Sequence, residues 1–155
     1  MRAVLQRCQR AEVFAEEAGK EVSRGKINKG LVVLLSVENE DDQTDLDYLL
    51  KKVVNMRIFN DEEGKMNLSV KDVGGDIAAV SQFTLHANTK KGNRPSYNRC
   101  GDPDHALYWY DKFIKTLEGT FKGKVISGVF GAHMKIDFVN DGPVTIILDS
   151  KDKNF

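Results

Sequence analysis

The residues with the most chemical capacity lie together in Ser81-Gln82-Phe83-Thr84-Leu85, where polar side chains interleave with apolar ones. Such a cluster can supply hydrogen-bond donors at the mouth of a pocket. It can equally be the polar outer face of a strand. Thr84 would act as a nucleophile only with a base beside it, and the sequence offers no evident partner. From His86 to Gly101 the chain carries Lys90, Lys91, Arg94 and Arg99, no acidic residue, and Tyr97 among them. That composition suits a phosphate backbone with a base or sugar to stack on. It also suits a solvated basic loop. A third feature is Gly142-Pro143, set inside the apolar alternation of Phe138 to Ser150. Proline cannot donate to a ladder, so a strand interrupted in this way asks for a reason.

Other chemistries lack their residues. His86, His105 and His133 share no metal-ligand spacing, so no metal site and no cofactor are expected. No nucleophile elbow, phosphate-binding P-loop or dinucleotide glycine motif occurs. Cys8 and Cys100 lie far apart and read as free thiols of a reducing compartment. The 23 basic and 23 acidic residues cancel, so any polyanion site must be local. The N-terminal stretch is neither a signal peptide nor a membrane span, so a cytoplasmic protein without a membrane partner is expected.

These groups need a scaffold, and 155 residues suffice for one domain with a core of its own. Strands are expected over Ala3–Phe14, Val22–Ile27, Leu31–Val37 and Ile77–Leu85, with a short return to strand at Arg57–Asn60. Three more are expected to close the chain, over Val125–Phe130, Lys135–Asn140 and Val144–Asp149. Leu46, Leu49, Leu50, Val53 and Val54 recur as one helical stripe, with Asp41 or Asp42 as its cap. A second helix should begin near Asp104, with Leu107, Tyr110, Phe113, Ile114 and Leu117 facing inward and Gly119 able to end it. His86 to Pro103 has no period and reads as a long loop, a type that is often functional. The expected fold is α+β: a strand-rich single domain of twisted, barrel-like sheets with two main helices. It should span residues 1–150, with 151–155 as a frayed tail.

Across nearly its whole length the chain resembles the D-aminoacyl-tRNA deacylases. The likeness rests on Leu5-Gln6-Arg7, Arg57-Ile58-Phe59, Glu63-Gly64-Lys65-Met66-Asn67, SQFTL at 81–85, Lys91-Gly92-Asn93-Arg94-Pro95-Ser96, Phe130-Gly131-Ala132 and NDGPVT at 140–145. It implies a homodimer with its active sites at the interface, acting on the 3′ end of an aminoacyl-tRNA. The reaction implied is hydrolysis of the ester that holds a D-amino acid to the terminal adenosine. Ser81, Gln82, Phe83 and Thr84 would form the catalytic pocket. Gly142 and Pro143 of the other subunit, joined by a cis peptide, would reject L-aminoacyl groups by a backbone clash. Arg7 would hold that pair in place. Backbone N–H groups near Phe83 and Thr84 could stabilise an oxyanion. The resemblance favours help from the ribose 2′-OH over attack by Thr84, and glycyl-tRNA should be partly accepted. Lys90, Lys91 and Arg94 are assigned to tRNA phosphates from charge alone.

Two other functions compete. A non-catalytic nucleic-acid-binding module on the same fold would use the basic loop but has no need for a Gly-Pro wedge. A general esterase using Thr84 would stand or fall with that hydroxyl.

Overall fold

The computed structural model describes residues 1–154. β1 (Arg2–Glu17) turns into β2 (Lys20–Ile27) and β3 (Gly30–Ser36), and α1 (Gln43–Asn55) follows. A small hairpin of β4 (Phe59–Asn60) and β5 (Met66–Leu68) precedes β6 (Asp76–Ser81). A 3-10 turn at Phe83–His86, α2 (Pro103–Thr120), β7 (Val125–Ser127) and β8 (Met134–Asp149) complete the chain. The main sheet runs β2-β1-β3-β6-β7, with β8 on the other edge of β1. β3, β6 and β7 are parallel neighbours, and the remaining pairs of this sheet are antiparallel. The sheet curls until its ends meet. Lys124 Nζ donates to Lys26 O at 2.7 Å, and a Cβ at Gly25 would stand 2.9 Å from Ile126 Cγ2. The architecture is the expected α+β, strand-rich and nearly a barrel, with two α-helices among the described residues.

Two cores explain the unbroken apolar run in β3. Leu31, Val33 and Leu35 face the helices, together with Ile77 and Ala79 of β6. Val32 faces the inside of the curled sheet with Cys8, Val13, Ala78, Val80 and Ile126. A strand buried on both faces cannot alternate apolar with polar. On α1 the stripe buries Leu46, Leu49 and Val53. Asp42 is its cap and closes a capping box with Asp45. Asp41 instead receives the Met1 α-ammonium. On α2, Trp109 is buried where Leu107 was expected, and Leu107 is exposed. Pro103 opens that helix, one residue ahead of the expected start, as its fixed φ permits.

Three expectations are corrected. The strand drawn to Leu85 ends at Ser81, because its last ladder partner is Leu35 near the end of β3. Beyond it the chain folds into the 3-10 turn. The three closing strands are two, since β7 is short and β8 continues from Met134 to Asp149. The Gly-Pro does not break β8. Gln6 pairs with Thr145 and Cys8 with Asn140, so residues 141–144 bulge opposite Arg7. Of the tail expected to fray, residues 151–154 are described and Phe155 lies outside the described residues. Lys151 Nζ donates to Asp45 Oδ2 at 2.6 Å, and Lys153 Nζ lies 5.0 Å from the centre of the Tyr48 ring.

Candidate active site

The 3-10 turn borders a cavity of about 530 Å³. Leu35 and Ser36 of β3, Val80 and Ser81 of β6, and Gln82 and Phe83 form one wall. Pro103, Ala106 and Tyr110 of α2 form another, joined by Cys100 and Gly101. Phe130 to Met134 and Ile136 close it. Its polar groups are hydroxyls, an amide, a thiol and His133, with no carboxylate and no lysine or arginine among them. A Cβ at Gly128 would lie 2.3 Å from Met134 Sδ, so the absence of a side chain there lets Met134 form its part of the wall. Burial pushes the Tyr110 hydroxyl upward, and the group stays protonated while donating to Ala79 O at 3.1 Å.

Neighbours spread across the chain hold the turn. Gln82 N donates to Leu35 O at 2.7 Å. Arg2 Nη1 donates to Leu85 O at 2.6 Å. Phe83 O faces the Cys100 thiol at 3.2 Å and the Ser36 hydroxyl at 3.3 Å. Gln82 Nε2 donates to Thr84 Oγ1, which is the partner that hydroxyl has. An amide is no base, and Thr84 does not line the cavity. Phe83 and Thr84 open the turn, the positions whose N–H groups a helical turn leaves without an internal acceptor.

Phe83 is 57% exposed and meets the 40%-exposed Tyr97 edge to face, with ring centres 4.9 Å apart. Tyr97 belongs to the basic loop, so this aromatic pair links the loop to the cavity mouth. Asn88 and Ser96 close the loop with two backbone bonds of 2.8 and 3.0 Å, leaving exposed Lys90, Lys91 and Arg94 at its tip. Arg99 does not join them, because it bonds Glu38 Oε1 at 2.8 Å. The positive patch is therefore narrower than composition suggested.

Arg7, Gly142 and Pro143 form a second assembly, apart from the cavity wall. Arg7 is only 8% exposed. Its Nη1 donates to Ile58 O at 2.8 Å and Asn60 Oδ1 at 3.2 Å, and its Nε donates to Asp141 O at 3.1 Å. Gly142 has φ of +126°, and a Cβ there would meet Val144 Cγ2 at 2.7 Å and Arg7 Nη2 at 3.1 Å. Glycine is thus required on both backbone and space grounds. The Gly142-Pro143 peptide is cis, and both residues are exposed. One chain therefore brings Ser81, Gln82 and Phe83 together at the cavity and does not bring Gly142, Pro143 or Arg7 to it. Asn60 and Ile58 were missed as partners of Arg7. The charge of Arg7 on a buried strand called for acceptors, but sequence does not say which carbonyl supplies one.

A family model described as D-Tyr-tRNA(Tyr) deacylase matches residues 4–149. Proteins named D-aminoacyl-tRNA deacylase from Flavobacterium johnsoniae and Christiangramia forsetii are each 52% identical over 99% of both chains. A solved structure of the c-Myc DNA unwinding element binding protein is similar at a TM-score of 0.87 and 38% identity, covering 96% of this chain and 98% of that one. A structure described as a probable eukaryotic D-amino acid tRNA deacylase has a TM-score of 0.75 at 22% identity, covering 95% and 97%, and speaks to the fold alone.

Proposed function

The chain belongs to the D-Tyr-tRNA(Tyr) deacylase family and is a D-aminoacyl-tRNA deacylase, and from that premise we propose how its residues divide the work. The substrate ester enters the cavity beside Ser81, Gln82 and Phe83. Water adds to the carbonyl carbon, the bond to the ribose oxygen breaks, and free tRNA and a D-amino acid leave. Amides at Phe83 and Thr84 face the developing oxyanion. With Thr84 bonded to the Gln82 amide and no base beside its hydroxyl, the ribose 2′-OH assists and no acyl-threonine forms.

The observation that carries this reading is the exposed Gly142-Pro143 bulge, fixed from behind by Arg7 and absent from the wall of its own cavity. A built and rigid element with no task in its own chain fits insertion into a second copy. In a homodimer the bulge of one copy would complete the cavity of the other. Its backbone would occupy the space an L side chain needs, whatever that side chain is. Glycine has no side chain to reject, so glycyl-tRNA would be hydrolysed in part. Lys90, Lys91 and Arg94 would meet phosphates near the 3′ end, with Tyr97 and Phe83 between them and the cavity.

The test is hydrolysis of D-tyrosyl-tRNA and L-tyrosyl-tRNA side by side. Release from the D form alone supports both the activity and the filter. Equal release from both removes the wedge. The similar structure of a DNA unwinding element binding protein favours a second reading, nucleic-acid binding without hydrolysis through the basic loop. Salt-dependent duplex binding with neither ester cleaved would establish it instead.

A further inference from the structure

His86 has no task in the reading above, yet it is built in with care. It ends the 3-10 turn and is 1% exposed. Its Nδ1 lies 2.7 Å from Ser36 Oγ. Its Nε2 is buried, has no hydrogen-bond partner among the described residues, and lies 3.7 Å from Glu38 Oε1. A buried ring nitrogen without a partner is costly to keep for packing alone. Ser36 forms part of the cavity wall, and its Oγ is also 3.3 Å from Phe83 O. A hydroxyl has one hydrogen, so Ser36 donates to the histidine or to the carbonyl, not to both.

The nearby charge sets which. A carboxylate beside Nε2 favours the proton on that nitrogen. Nδ1 is then an acceptor, and the Ser36 hydrogen points to it. The Cys100 thiol remains as the donor to Phe83 O. A second proton on the ring turns Nδ1 into a donor and sends the Ser36 hydrogen to Phe83 O. The protonated ring would also compete with Arg99 for Glu38, and Arg99 belongs to the basic loop. We infer that His86 is a positioning residue for deacylation, which acts through Ser36 to set the hydrogen bonding of the Phe83 carbonyl and hence the turn at the cavity wall. This rests on the deacylase reading of that cavity.

Burial is the largest influence on the ring and lowers its affinity for protons. Glu38 opposes this, Arg2 and the Met1 α-ammonium add to it, and Asp41 opposes it again. The net direction is downward, so the ring is neutral at neutral pH and gains its proton only below the ordinary histidine range.

The experiment measures kcat and KM for D-tyrosyl-tRNA against pH, after subtraction of spontaneous hydrolysis. It compares the unaltered protein with His86→Asn, His86→Leu and Ser36→Ala. The unaltered protein should lose kcat on acidification with a one-proton slope. His86→Asn keeps a polar atom near Ser36 but cannot titrate, so it should retain most activity at neutral pH without the slope. His86→Leu and Ser36→Ala should lower kcat by about tenfold with little change in KM, the pattern of lost positioning. Imidazole nitrogen NMR on the unaltered protein should place the neutral proton on Nε2. A neutral proton on Nδ1, an acid slope surviving in His86→Asn, or unchanged constants in Ser36→Ala would each overturn the inference. Absence of D-tyrosyl-tRNA hydrolysis by the unaltered protein would overturn the functional reading and this role with it.

Discussion

Replacing Arg7 with alanine separates two consequences of one side chain. The guanidinium bond to Ile58 O is 2.8 Å long and buried, and the bond to Asp141 O is 3.1 Å and partly buried. Losing a charged donor to a buried carbonyl costs about 1.5–3 kcal/mol, and the second carbonyl adds about 1. The contacts to Asn60 Oδ1 at 3.2 Å and to the half-exposed Asp141 carboxylate at 3.3 Å add little. The sum is about 3 kcal/mol, which lowers Tm by roughly 6–12 °C in a chain of this size. Arg7→Lys keeps one carbonyl bond and should lose about half as much. The functional consequence lies at the bulge, where Arg7 holds Asp141 and stands beside Gly142. If that support keeps the wedge in place, Arg7→Ala reduces the D-over-L preference at least about tenfold, equivalent to about 1.4 kcal/mol of discrimination. Thermal denaturation and paired hydrolysis of D- and L-tyrosyl-tRNA read the two effects independently. A fall in Tm with unchanged chiral preference would leave Arg7 as a strut and refute its part in selection. An unchanged Tm would refute the hydrogen-bond accounting itself.

Gly30→Ala should destabilise the fold by at least about 3 kcal/mol, because its Cβ would stand 2.0 Å from Asp76 O, a backbone atom of the neighbouring strand. Urea denaturation checks this, and a change under 1 kcal/mol would show that β3 and β6 can separate cheaply. Asp45 supplies an acid-dependent contribution. Burial would raise its carboxyl, but bonds from Lys151, Ser150 and the Asp42 amide hold it at about 2, below its ordinary 3.8. A folded-state value below the unfolded one gives stability that is present above the unfolded value and lost as pH falls toward about 2. Lys151→Ala should move that loss to higher pH in acid titrations followed by circular dichroism, and an unmoved curve would exclude the pair. Thr84→Ala should keep hydrolysis within about tenfold and yield no acyl-enzyme in rapid-quench samples, since the hydroxyl has no base; complete loss of activity would return Thr84 to the role of nucleophile.

Much of this protein is decided within short stretches of chain. The α1 stripe and its Asp42 cap, the turn at residues 61–65 and the two-faced burial of Leu31–Leu35 follow from side chains a few positions apart, whose periodicity and capping chemistry act locally. The family segments were legible for the same reason, as contiguous runs of residues. The site needed contacts between distant segments. SQFTL alternates like a strand, yet its ladder ends at Ser81, where β3 offers no further partner, and Ser36, Arg2 and Cys100 settle the carbonyls of the turn. Gly142-Pro143 looks like a strand break, yet β8 runs through it, because β1 pairs on both sides and Arg7 takes up the carbonyl of the bulge. Arg99 looks like a phosphate ligand until Glu38 stands beside it. Local patterns set which elements form, since their energies arise between near neighbours. Where a strand stops, which carbonyl a buried arginine finds and which charges remain free are decided by residues that only the folded chain brings together.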